Sequence, residues 1–170
     1  MRRALAPALV VTLLLVAVQL TVFSSLRIEG VVVMLVWLWP FAMGLTGNTT
    51  LALFCALVAG VFFDTHTTTP FGLTAAVGLL LAYGASRLGR EGVGDLDSAA
   101  WWVTPVLAAV AGLFAPLLYV VGGALALNFN LWRGSVLAMM VVNAVAFLIL
   151  ARPVTRLARS VAHVGERARR

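Results

Sequence analysis

The residues that could carry chemistry are few and far apart. Asp64 and His66 form an Asp-x-His pair that would supply two ligands of a metal centre. A zinc site needs three or four, and no other His or Cys stands where it could join them. Cys55, flanked by Phe54 and Ala56, has no base beside it, and a thiol in apolar surroundings is inert. Lys does not occur, and no Gly-x-Ser-x-Gly, His-Glu-x-x-His or P-loop sequence is present. No catalytic residue, metal or cofactor is therefore expected. Gln19 and Asn143 are the notable neutral polar residues inside apolar stretches. Each is expected to hydrogen-bond a neighbouring helix, at roughly 0.5–2 kcal/mol.

The elements that position these residues follow from composition. Of the 170 residues, 62% are hydrophobic and 11% charged, with a mean hydropathy of +1.05. Soluble domains carry roughly 45–50% apolar and about 25% charged residues. Uncharged stretches cover residues 4–26, 30–63, 65–86, 98–132 and 134–151, and a bilayer-spanning helix needs roughly 20 apolar residues. A soluble enzyme, a disordered protein and a disulfide scaffold are excluded. The net charge of +6 does not point to nucleic acid, because ten of the twelve basic residues, all of them Arg, gather at the ends and in one loop. That placement reads as membrane topology.

The first stretch follows Arg2 and Arg3 and is longer than a signal-peptide core, so it reads as a retained helix. Residues 30–63 are interrupted by the turn formers Thr46, Gly47, Asn48, Thr49 and Thr50, which splits them into two short spans. The fourth span starts at Thr69 and Pro70, an N-cap hydroxyl followed by Pro at the first helical position. Trp101 and Trp102 mark the membrane interface before a long helix that Pro105 and Pro116 can bend, with two short helices as the alternative. The expected fold is an all-α bundle of six transmembrane helices over about 4–23, 31–45, 50–63, 71–86, 99–127 and 134–151, followed by a basic tail, 154–170. Six spans put Arg2, Arg3, Arg87, Arg90, Arg152, Arg156, Arg159, Arg167, Arg169 and Arg170 on one side and only Arg27 and Arg133 on the other. By the positive-inside rule both termini are then cytoplasmic. The tail fits either an amphipathic helix on anionic lipid or a disordered orientation anchor.

None of the six acidic residues falls in the middle of a span, which disfavours a proton relay. Asp64, at the end of the third span, is expected to satisfy free N–H groups at the start of the fourth helix. Contact with a partner outside the membrane is the second reading. Small residues at helical spacing, Ala56/Gly60, Thr74/Gly78/Ala82 and Ala108/Gly112, allow close helix packing in lipid.

The segment from Gly60 to Tyr83 resembles the signature of the rod shape-determining protein MreD family. Gly60 precedes Asp64 at a span end, Pro70 and Gly72 follow at six and eight residues, and an apolar helix carries Tyr83 near its end. The Thr/His-rich linker 65–69 and the short second span with Trp37, Trp39 and Pro40 depart from the usual pattern. The resemblance implies a non-catalytic scaffold subunit of the bacterial cell-elongation machinery in the inner (plasma) membrane. It would bind an MreC-like single-span protein and connect it with the MreB filament and peptidoglycan synthases, with no cofactor. The family resembles in fold the six-helix substrate-binding subunits of energy-coupling-factor vitamin transporters, which is the alternative reading. Those subunits dock a partner through small residues on the first helix, and Ala4 and Ala8 match in form.

Overall fold

The computed structural model of the chain describes residues 2–23, 25, 27–28, 31–67, 70–91, 102–127 and 136–167. It is all-helical, 88% helix, with six α-helices among the described residues. Helix α1, Arg2–Val18, runs on as a π-helical turn, Gln19–Phe23. Two short strands follow, β1 (Arg27–Ile28) and β2 (Val31–Val32), paired antiparallel with Arg27 opposite Val32 and Ile28 opposite Val31. The remaining helices are α2 (Leu35–Leu45), α3 (Thr49–Asp64), α4 (Leu73–Glu91), α5 (Val103–Leu127) and α6 (Val136–Arg167).

Helix α2 is the axle of the bundle. It packs against all five other helices, and those close a ring around it in the order α1, α3, α4, α5, α6 and back to α1. Every one of its eleven residues is buried, Trp37 and Trp39 included. The outer helices are built inside out relative to a soluble protein. Along α1 the buried stripe is Ala4, Ala8, Thr12, Val16 and Gln19, while Leu9, Val10, Leu14, Val18 and Val22 are exposed. On α5 the inward residues are Ala108, Ala111, Ala115 and Tyr119, with Val106, Val110, Phe114 and Leu118 facing out. Small and polar side chains let backbones approach and bond to one another. Large apolar ones are left for a solvent as apolar as themselves. Three helical segments, Ala4–Phe23, Val103–Ala124 and Val136–His163, are long and apolar enough to cross a membrane.

The connections fix which ends lie together. Asn48 caps α3, its side chain accepting from Leu51 N–H at 3.1 Å, and Gly47 in the preceding turn has φ +78°. Ala4 and Ala8 of α1 share one apolar cluster with Met43, Leu51 and Ala52 near that turn and with Ala158 and Val161 of α6. This end also holds Arg90, whose Nε donates to Ser86 O. The opposite end carries the β-hairpin and the α3–α4 joint.

Several boundaries differ from the sequence reading: α4 starts at Leu73, which leaves Pro70 in the turn before it rather than at the first helical position, and runs to Glu91 rather than 86, while α5 starts at Val103 rather than 99. The second helix starts at Leu35 rather than 31, because Val31 and Val32 pair with β1 instead. The described part of the tail, up to Arg167, stays helical, and its inward residues stay on the bundle. Helix α6 passes through Pro153 to Arg167, and Thr155, Ala158 and Val161 are buried against the bundle. The Thr69 cap, Trp101, the loop beyond Glu91 and the closure at 128–130 lie outside the described residues.

Candidate functional site

Two constellations gather the polar residues that the sequence singles out, both toward the hairpin end. The first is the joint between α3 and α4. At Gly60 a Cβ would lie 2.2 Å from Ala75 Cα and 2.5 Å from Ala75 N. The α3 backbone therefore rests directly on the first turn of α4. One helical turn beyond Gly60, Asp64 is 3% exposed, and its Oδ2 accepts the Gly72 N–H at 2.8 Å.

Gly72 is the residue from which α4 departs. Its carbonyl accepts the Ala76 N–H at 2.9 Å, the first bond of the helix. Its φ of +89° lies in the left-handed region that only glycine occupies without strain. Pro70 opens this turn, its carbonyl accepting the Leu73 N–H at 3.2 Å. The Thr74 hydroxyl and the Thr74 and Ala75 amides face the same carboxylate, but only the Gly72 contact reaches full hydrogen-bond geometry. Asp64 Oδ1 and Thr74 Oγ1 are buried without a fully formed bond. The four motif residues thus act together: Gly60 permits contact, Asp64 caps, Pro70 turns the chain, and Gly72 takes the backbone angle the turn demands.

His66 is turned away from this site. Its ring stacks on Phe62 at 4.9 Å, and its Nδ1 lies 2.9 Å from the Phe62 carbonyl oxygen. Among the described residues no three His, Cys, Asp or Glu side chains are grouped to hold a metal.

The second constellation surrounds the extended segment that leads from β2 into α2. Gln19, the first residue of the π turn, donates from Nε2 to Val33 O at 2.9 Å and accepts Leu35 N–H on Oε1 at 2.7 Å. Asn143 on α6 accepts Met34 N–H on Oδ1 at 2.8 Å, and its Nδ2 lies 3.4 Å from Val32 O and 2.9 Å from Met139 O. In an extended chain successive peptide groups point to opposite sides. One carboxamide therefore reads the odd-numbered groups and the other the even-numbered ones, from opposite edges. Both amides are buried, at 1% and 0% exposed. The π turn widens α1 at its last buried residue and aims Gln19 at this strand. Sequence reasoning expects Gln19 and Asn143 to bond neighbouring helices; Gln19 does so at Leu35, the first residue of α2, while its bond to Val33 and those of Asn143 to Val32 and Met34 fall on the extended segment before that helix.

Further polar residues, buried or partly buried, make contacts that the sequence reading did not anticipate. Thr12 accepts the Trp39 indole N–H at 2.9 Å and donates to Ala8 O. Thr49 and Ser86 pair their hydroxyls at 3.1 Å across α3 and α4. Tyr119 sets its ring 5.3 Å from that of Trp37. Thr12 was findable, since it continues the four-residue spacing of Ala4 and Ala8 and precedes Gln19 by seven. Cys55 is buried beside Thr12 and Trp39.

These arrangements hold backbone together. Most of the polar atoms of the two constellations face peptide groups of the same chain. Comparison with known proteins returns no match to a family model, to a curated protein or to a solved structure.

Replacing Asp64 with Asn tests the joint. Asn keeps an oxygen for the Gly72 N–H but removes the negative charge from the start of α4. A loss of roughly 0.5–1.5 kcal/mol is expected in reversible unfolding of the detergent-solubilised protein. Asp64→Leu should cost more, because it leaves the half-buried Gly72 N–H without its partner. Equal stabilities for Asn and Leu would mean that the observed hydrogen bond carries no weight.

Proposed function

We propose that this chain is a non-catalytic membrane scaffold subunit of the bacterial cell-elongation machinery, of the MreD type. The observation that carries the reading is the joint in which Gly60, Asp64, Pro70 and Gly72 act as one device. In this reading the shared spacing reflects a shared turn rather than scattered matches. The polar side chains of both constellations are spent mainly on peptide groups of this chain, which suits a protein whose work is to hold others. Its partners would be an MreC-like single-span protein and, through it, the MreB filament and peptidoglycan synthases.

The same proposal places all six helices across the inner (plasma) membrane with both termini in the cytoplasm. Helix α2 alone reaches only about 16 Å. The four extended residues before it add about 13 Å, so together they match the roughly 30 Å hydrocarbon core. Non-helical backbone is tolerated at that depth only where protein groups satisfy it, as the two carboxamides do. Reporter fusions at Arg170 and at Gly92 are both expected to stay cytoplasmic; an exported reporter at either position overturns the six-span arrangement.

The functional test is affinity purification of the solubilised full chain from its host. Recovery of a single-span elongation protein at near-stoichiometric amounts is the expected result. Recovery with an energy-coupling module, or with a tightly held vitamin, overturns it. Against that transporter alternative, Ala4 and Ala8 are 5% and 0% exposed inside the bundle, where no partner reaches them.

A further inference from the structure

One outward stripe of α6 changes character partway along. Val141, Val145 and Leu148, spaced four and three, are 48%, 51% and 43% exposed. Continuing the same helical spacing, the next positions on that face are Arg152, Arg156 and Arg159. Arg152 and Arg156 are exposed and Arg159 is partly so. The inward stripe does not change with them: Phe147, Ala151, Thr155 and Ala158 remain buried over the same length. The helix therefore does not turn aside to lie on a surface. Its inner face stays on the bundle while its outer face passes from aliphatic to cationic within one turn.

From this we infer that the outer stripe of α6 binds an anionic phospholipid. The acyl chain lies along Val141, Val145 and Leu148, and the phosphodiester is held by Arg152 and Arg156, with Arg159 at the outer edge of the headgroup layer. The occupant follows from continuity and charge. Arg152 is the first charged position on that stripe, and because charge is costly inside the hydrocarbon the headgroup layer is assigned to begin there. Arg152 to Arg159 rises about 10 Å, comparable with a headgroup layer of roughly 5–8 Å. Arginine presents a planar fork of donors that suits a phosphodiester. The inference requires only that α6 is embedded in a membrane and stands apart from the scaffold reading.

The test uses the full chain reconstituted in phosphatidylcholine vesicles with trace spin-labelled phosphatidylglycerol or spin-labelled phosphatidylcholine. The motionally restricted fraction of each label reports lipid held at the protein surface. Each arginine contributes at most roughly fivefold near an anionic surface, so a preference for phosphatidylglycerol of at least about threefold is expected at low salt. Changing Arg152, Arg156 and Arg159 together to Gln should remove it, and changing them to Lys should keep most of it. Arg87→Gln with Arg90→Gln, on α4 and away from the stripe, should leave it in place.

No preference in the unaltered chain overturns the inference, as does a preference that survives the triple Gln change. Loss of preference in the α4 pair equal to that in α6 reduces the effect to net charge and also overturns it. If the triple Gln variant does not fold, Arg156→Gln alone is read by the same signal, and an unchanged preference there overturns the assignment. Should the triple change abolish capture of an acidic protein while lipid preference stays intact, the stripe is a protein interface instead.

Discussion

Gly60→Ala is expected to cost about 1–3 kcal/mol, while Gly78→Ala, chemically the same change, should cost nothing or stabilise. The difference lies in what the new methyl meets. At Gly60 it would stand 2.2 Å from Ala75 Cα and 2.5 Å from Ala75 N, both backbone atoms that cannot rotate aside. At Gly78 it would stand 3.6 Å from Ala56 Cβ, an ordinary contact. Carbon atoms pack at roughly 3.5–4.0 Å, so α3 and the first turn of α4 must separate by about 1.5 Å to admit the methyl at Gly60.

Overpacking of this kind costs roughly 1–3 kcal/mol. The separation also draws Asp64 away from the Gly72 N–H, adding about 1 kcal/mol for a lost cap. Because Ala is the better helix former by about 1 kcal/mol, Gly78→Ala gains where Gly60→Ala loses. Reversible unfolding in mixed micelles measures both. Ala75→Gly in the Gly60→Ala background should rescue only part, since it removes the Cβ contact at 2.7 Å and leaves the Cα and N in place. Full rescue, or equal effects at Gly60 and Gly78, would show that the helices are not pressed together at this point.

That contrast also marks how far the sequence reaches. Gly60 and Gly78 both occur in small-residue patterns at helical spacing, and spacing alone makes them equivalent. Only the crossing geometry makes one a contact and the other a bystander. The helical, membrane-length character of the chain was legible in the long uncharged stretches, because lipid requires apolar length and nothing else supplies it. So was the turn at 46–50, where Asn48 carries a cap signal that acts within three residues.

What depends on distant residues was not legible. Val31 and Val32 read as the start of a helix from hydropathy, but a two-residue pairing with Arg27 and Ile28 takes them into a hairpin. The tail after residue 153 is polar enough to read as detached. Its small residues Ala158 and Val161 find Ala4 and Ala8 across the bundle, and the helix continues. Asn143 is 109 residues from the Met34 amide it accepts from, and no local rule anticipates such a partner.

The carboxamide pair leads to the second large effect. Gln19→Leu removes the partner of the Leu35 N–H and of the Val33 carbonyl at once. Each buried peptide group left unpaired costs about 1–3 kcal/mol, so a loss of roughly 2–5 kcal/mol is expected. Asn143→Leu orphans the Met34 N–H and releases a long 3.4 Å contact to Val32 O, and should cost less, about 1–3 kcal/mol. Gln19→Glu separates the two halves of the clamp. Its carboxylate can still accept from Leu35 N–H but has no hydrogen to give Val33 O, so oxygen faces oxygen in a buried site.

The double change to Leu should cost less than the sum of the two single ones. Once either amide is gone, the segment from 32 to 35 is free to shift, and the second loss falls on backbone no longer held in place. Hydrogen exchange supplies the site-resolved reading: the Met34 and Leu35 amides should lose protection in either variant, while the interior of α3 keeps it. Additive losses, or unchanged protection at Met34 and Leu35, would mean that the two side chains do not hold one strand between them. Because α2 is buried on every side and begins where this strand ends, the clamp sets the depth at which the central helix starts, and through it the height of Trp37 and Trp39 against the ring.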